Sequence, residues 1–125
     1  MISHVSIGVR DLGKAGRFYD AALAPLGYKR LYDSAEALGY GADSPKLWLM
    51  RVQRPVPADE ASGLHLCLEA ANRAGVDRFH AAAVKSGGRD NGKPGLRKDY
   101  GDNYYAAFIA DPDGYRLEAY CGRQE

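Results

Sequence analysis

The chain has 125 residues, 46% of them apolar and 26% charged, with a formal net charge of +1. That length is one domain's worth and enough to bury a core. The near-neutral balance has no basic excess to suggest nucleic acid and there is no acidic tail, and no apolar run approaches the roughly 18 residues of a membrane span.

The chain passes from Met1 straight into a strand-like pattern with no charged leader, and its two cysteines, Cys67 and Cys121, have no paired spacing. A cytoplasmic protein with reduced thiols is expected. Residues 2–9 alternate as a strand, with His4, Ser6 and Gly8 on one face. Asp11 is placed to cap a helix that runs to about residue 24. Its Leu12, Ala15, Phe18, Ala22 and Leu26 recur at helical spacing, and Pro25 and Gly27 end it. Strands follow near residues 28–33, 36–42 and 46–53, and residues 55–59 read as a linker. Residues 64–70 form the next strand, with His65, Cys67 and Glu69 on one face. A helix over about 75–86 turns Val76, Phe79 and Ala83 inward and stops at Gly87-Gly88. His80 on this helix reads as exposed. After a short segment near residue 89 comes a long loop over 91–103. Two strands, 104–110 and 115–121, close the chain around the turn Asp111-Pro112-Asp113-Gly114.

The two halves repeat each other. Displaced by 61 residues, His4 falls on His65, Arg17-Phe18 on Arg78-Phe79, Ala21-Ala22 on Ala82-Ala83 and Gly27 on Gly88. Further on, a displacement of 68 brings Ala42-Asp43 onto Ala110-Asp111 and Leu49 onto Leu117. Each half reads β-α-β-β-β. A single α+β domain over 1–125 is expected, with one module over about 1–54 and another over about 62–123.

An approximate two-fold axis between the modules gives four related positions: His4, Met50, His65 and Glu118. A lone strand histidine is ordinarily a satisfied, half-buried polar residue. Two repeat-related histidines with a carboxylate at a third related position point instead to a metal. His4, His65 and Glu118 are the expected ligands, with Glu118 also the expected catalytic group. Met50, a soft thioether, is expected to pack beside the ion with Trp48. Cys67 shares the His65 face and lines the pocket. The second-half loop carries Lys93, Arg97, Lys98 and Tyr100, a basic, tyrosine-bearing segment able to close over a substrate. Tyr104 and Phe108 share one strand face with Ala106 and are expected in the substrate pocket. Arg116 shares the Glu118 face, where it would bind a substrate anion or hold the glutamate.

These residues resemble the vicinal oxygen chelate superfamily of glyoxalase I, extradiol dioxygenases, fosfomycin-resistance thiol transferases and bleomycin-resistance proteins. The carriers are Ser3-His4-Val5-Ser6-Ile7-Gly8-Val9 with Asp11-Leu12, Arg17-Phe18-Tyr19, Leu26-Gly27-Tyr28 and Leu64-His65-Leu66. The most specific is Asp111-Pro112-Asp113-Gly114-Tyr115-Arg116-Leu117-Glu118-Ala119. The resemblance implies paired βαβββ modules forming a cupped mixed sheet around one divalent ion, Fe, Mn, Ni or Zn. His4, His65 and Glu118 match the family's three ligands. The implied partner is a small molecule that chelates the metal through vicinal oxygens, with no nucleic acid and no membrane, and a homodimer is expected. Family members pair their modules within a chain or swap them across a dimer. The implied activity is that of a lyase or isomerase, a ring-cleaving dioxygenase or a fosfomycin-type thiol transferase. Glyoxalase I itself is disfavoured, because Met50 falls where it carries a fourth, carboxylate ligand. The alternative is a metal-free protein of the bleomycin-resistance type that sequesters a small planar ligand.

Overall fold

Ten regular elements alternate in the order the repeat predicts, and the computed structural model describes residues 1–125. The first half comprises β1 (Val5–Val9), α1 (Leu12–Leu23), β2 (Lys29–Asp33), β3 (Ala37–Gly41) and β4 (Leu47–Arg51). The second comprises β5 (His65–Glu69), α2 (Arg73–Lys85), β6 (Arg89–Leu96), β7 (Tyr105–Ala110) and β8 (Arg116–Cys121). The strands form two mixed four-stranded sheets, ordered β1-β4-β3-β2 and β5-β8-β7-β6. In each, the first and last strands of the half run parallel and the other pairs antiparallel. No strand of one sheet pairs with a strand of the other.

Local chemistry sets the helix starts. Asp11 accepts from the Lys14 backbone N–H, and Asn72 does the same for Gly75, supplying acceptors to amides that have none within the helix. Each helix then buries a stripe: Ala15, Phe18, Tyr19, Ala22 and Leu23 on α1, and Val76, Phe79 and Ala83 on α2. The helices pack on one another and on one face of their own sheets, so a single core of 21 buried residues serves both halves. The other face of each sheet carries no helix. On β8, Leu117, Ala119 and Cys121 enter the core, while Arg116, Glu118 and Tyr120 alternate to the opposite face. On β4, Leu47 and Leu49 point inward and Trp48 and Met50 away.

Three side-chain hydrogen bonds join the halves, one of them from the Tyr28 hydroxyl to the Glu69 carbonyl at 3.0 Å. Tyr115 donates its hydroxyl to the Gly8 carbonyl at 2.7 Å. Tyr19, fully buried, donates to Asp111 at 2.5 Å. Asp111 also accepts from the backbone N–H groups of Asp113 (2.9 Å) and Tyr115 (2.8 Å), which pins the turn. Gly114 completes that turn at φ 95°, and a Cβ there would strike the Ala58 carbonyl; both demands select glycine.

The structure corrects four expectations. Strand β1 begins at Val5, where the ladder to Leu47 starts, so His4 precedes the strand and is exposed. The segment expected as a loop over 91–103 is half strand. Strand β6 continues to Leu96 through Gly92, Pro94 and Gly95, with register shifts on both sides of Gly92. It lies at the sheet edge, where a proline's missing N–H costs the ladder nothing. His80 is not exposed: its side chain is 14% accessible and bonded to Asp90 at 2.8 Å.

The repeat also relates different residues from those expected. The caps Asp11 and Asn72 stand 61 residues apart, as do Ser6 and Cys67. Ser6 pairs with Trp48, and Cys67 pairs with Glu118. Trp48, and not Met50, is therefore the counterpart of Glu118. The ladder registers thus set the last strands further apart in sequence than the expected displacement of 68.

Candidate metal and substrate site

Strand β8 places Glu118 at the centre of the second sheet, with β5 on one side and β7 on the other. Its neighbours across the two ladders are Cys67 and Phe108. Glu118 is only 4% exposed, one of two buried acidic residues in the chain. Both its oxygens are held. Oε1 lies 2.8 Å from His65 Nε2, and Oε2 accepts from the Tyr104 hydroxyl at 2.6 Å. A carboxylate this buried requires such partners. Burial, then the hydrogen bond to Glu118, raises the Tyr104 hydroxyl above its ordinary value, so Tyr104 stays a donor at neutral pH.

Aromatic rings hold these groups in place. Tyr104 stacks on Tyr120 with centroids 4.3 Å apart and meets Tyr100 edge-on at 5.2 Å. Phe108 lies 5.8 Å from the His65 ring. Together His65, Arg97, Tyr104, Phe108, Arg116 and Glu118 line most of an open cavity of about 630 Å³. Cys67 does not line this cavity as expected; it is solvent-accessible as a residue, and its thiol lies beside the Glu118 carboxylate. Partial burial, then that negative charge, pushes the thiol up to about 12. It is a neutral thiol at pH 7 and a poor nucleophile.

The donor set suits a divalent ion. His65 Nε2 and Glu118 Oε1 face one another. Removal of the proton between them leaves a nitrogen lone pair and a carboxylate oxygen aimed at common space. Within one chain the set stops at two, because no three His, Cys, Asp or Glu side chains come together to hold a metal. The expected triad is thus corrected for the single chain. His4 stands at the mouth of β1 in the other sheet, with Ser3 as its hydrogen-bond partner at 3.0 Å.

Trp48 and Met50 also lie in the first sheet and do not line this cavity. Trp48 meets Tyr32 edge-on at 5.2 Å, and Met50 is 37% exposed. Arg116 sits opposite His65 in the ladder. It does not hold Glu118; Tyr104 and His65 do. Four cavity residues, Asn91, Gly92, Arg97 and Tyr100, were not singled out individually from sequence. Asn91 lies on the strand that reads as a loop, and Arg97 was visible only as one charge in a basic run.

Residues 1–119 match the Glyoxalase/Bleomycin resistance protein/Dioxygenase superfamily, and the chain belongs to that superfamily. It is 28% identical over 120 residues to the uncharacterized protein YqjT of Bacillus subtilis (strain 168), covering 92% of this chain and 94% of that one. Among solved structures it is similar to a glyoxalase/bleomycin resistance protein from Albidiferax ferrireducens T118, with a TM-score of 0.80 and 29% identity over 94% of this chain and 95% of the other. The fosfomycin resistance protein FosX from Mesorhizobium loti shares the fold, with a TM-score of 0.70 and 18% identity over 98% and 92%. No helix of the chain is long and apolar enough to cross a membrane.

Proposed function

We propose that this protein is a divalent-metal-dependent enzyme acting on a small substrate with two vicinal oxygens, and that two chains build each site. His65 and Glu118 of one chain hold the ion together with His4 of the partner subunit. The observation that carries this reading is the 2.8 Å approach of His65 Nε2 to the buried Glu118 carboxylate. An imidazole and a carboxylate on neighbouring strands are two ligands of a catalytic site that needs three. The repeat supplies the third on a helix-free face of an identical chain.

A bound Fe, Mn, Ni or Zn ion would supply Lewis acidity to the two substrate oxygens. The chain's own groups have separate tasks. Glu118 is held by Tyr104, which fixes the carboxylate's orientation as an outer partner does at metal sites. Phe108 and Tyr104 give the cavity an apolar wall that limits water. Isomerisation, ring-cleaving oxygenation and thiol transfer are all compatible with such a site. Glyoxalase I chemistry has the least support, because Trp48 stands where a fourth carboxylate would be. A cytoplasmic location goes with this reading. A second reading, a protein that sequesters a planar ligand without metal, draws on the aromatic walls of the cavity.

Metal analysis of chain prepared without chelator and reconstituted with each ion separates the two. About one equivalent per chain is expected, lost in His65→Ala and in His4→Ala. Turnover should vanish with it. If no ion binds and both variants keep full affinity for a planar ligand, the second reading stands.

A further inference from the structure

The cavity beside His65 and Glu118 contains two guanidinium groups that no carboxylate neutralises. Arg97 lies over the Phe108 ring, 5.2 Å from its centroid. It donates to the carbonyls of Gly95 at 3.0 Å and Lys93 at 2.6 Å. Arg116 is half-buried. Its Nε is shut off from solvent with no acceptor, and its Nη1 reaches only the Glu60 carbonyl at 3.4 Å. Neither takes part in an ion pair. Glu118, the one carboxylate in the cavity wall, is engaged by His65 and Tyr104.

Of the other arginines Arg10, Arg30 and Arg51 are in ion pairs, and those without one lie outside this cavity. Arg30 pairs with Asp20 and Asp33, and Arg51 with Glu36. In the cavity, backbone carbonyls and an aromatic face fix Arg97 in position and leave its full charge uncancelled. Arg116 has five donors and one long contact, and a sheltered donor without an acceptor is costly. Two arginines without a carboxylate partner, both lining one open cavity, suit an oxyanion.

We infer that the substrate carries a carboxylate or phosphonate group and that Arg97 and Arg116 bind it beside His65 and Glu118. The inference rests on the proposed reading of this cavity as the reaction site, and it assigns the class of substrate that the site accepts.

The test is an NMR titration of ¹⁵N-labelled protein, read at the arginine Nε–H signals, with acetate and with methylphosphonate as separate probes. Zinc binding is measured in parallel. A saturable shift of the Arg97 and Arg116 signals is expected with one anion or both, and the responding anion identifies the group. Arg97→Gln and Arg116→Gln should each weaken binding by at least about tenfold, the loss of a charge-assisted hydrogen bond. Both should bind zinc as the parent does. Arg17→Gln, at an exposed arginine outside the cavity, should change nothing. If Arg116→Gln does not fold, Arg116→Lys keeps the charge without the fork and should still bind more weakly than the parent. Zinc binding with no response to either anion, or an equal response in the arginine variants, overturns the inference and leaves the metal reading intact. An anion response that the arginine variants lose, in protein that never binds zinc, sustains the inference and removes the metal.

Discussion

Glu118→Ala is expected to lower metal affinity by more than about 100-fold, beyond the loss that follows removal of an outer partner at a metal site. Turnover should fall to background. Glu118 supplies the only carboxylate of the proposed ligand set, and its central place on β8 leaves no nearby acid to replace it. The alanine variant also strands the Tyr104 hydroxyl and the His65 ring, both now bonded to the lost carboxylate. Glu118→Gln is therefore the sharper variant. It keeps the side-chain shape and an acceptor for Tyr104 while removing the negative charge. It should melt close to the parent and still fail to retain metal. Metal content by mass spectrometry, beside a thermal melt, reads both quantities. Full metal content in a folded Glu118→Gln protein would refute the role assigned to the carboxylate.

The largest effect on stability is expected at Asp111, far from the metal ligands. Asp111→Ala removes the acceptor of the buried Tyr19 hydroxyl and of two backbone N–H groups in the turn ahead of β8. Each stranded donor costs about 1–3 kcal/mol, and solvent reaches part of the turn, so a loss of about 3 kcal/mol is expected. Tyr19→Phe made in the Asp111→Ala background should recover part of that loss, because it deletes the stranded hydroxyl. The parent should also show a pH signature. Burial raises the Asp111 carboxyl to about 6, despite the hydrogen bonds from Tyr19, Tyr115 and Asp113 that favour the charged form. With the folded value above the unfolded one, the folded chain keeps a proton that the unfolded chain has released. This contribution is complete below pH about 4 and is lost as pH rises through about 6. Urea unfolding of Asp111→Asn should accordingly lose less stability between those values than the parent. An equal pH slope in the two proteins would contradict the burial argument.

Much of this was legible in the chain itself. The cap at Asp11, the turn at Asp111-Pro112-Asp113-Gly114 and the alternation through β5 and β8 all follow from short-range chemistry. His65 and Glu118 could thus be placed on one face of one sheet, where they meet. Three features escaped for separate physical reasons. Strand β6 carries Gly92, Pro94 and Gly95, which are loop signals in a central strand but are tolerated at an edge with register shifts. The match of Glu118 to Met50 carried the displacement of 68 residues through the last strand; the ladder registers give Trp48 instead. Arg97 lies ahead of the turn between β6 and β7, where neither period specifies direction, and becomes readable only through its stacking on Phe108. Tyr104 was placed by alternation with Phe108, but its bond to Glu118 was not legible. His4 is a different case. Its equivalence to His65 is a property of the repeat, whereas its meeting with His65 depends on which two modules face each other. Periodicity within one chain carries no information on that.

Each proposed site draws on two chains. The direct measurement mixes separately purified His4→Ala and Glu118→Gln chains, unfolds and refolds them together, and determines metal bound per dimer. Neither variant alone should hold metal. In a mixed dimer, one site carries both defects and the other carries none, so about one ion per mixed dimer should return, with turnover. No recovery in well-folded mixed dimers, or full metal content in His4→Ala alone, would contradict the account.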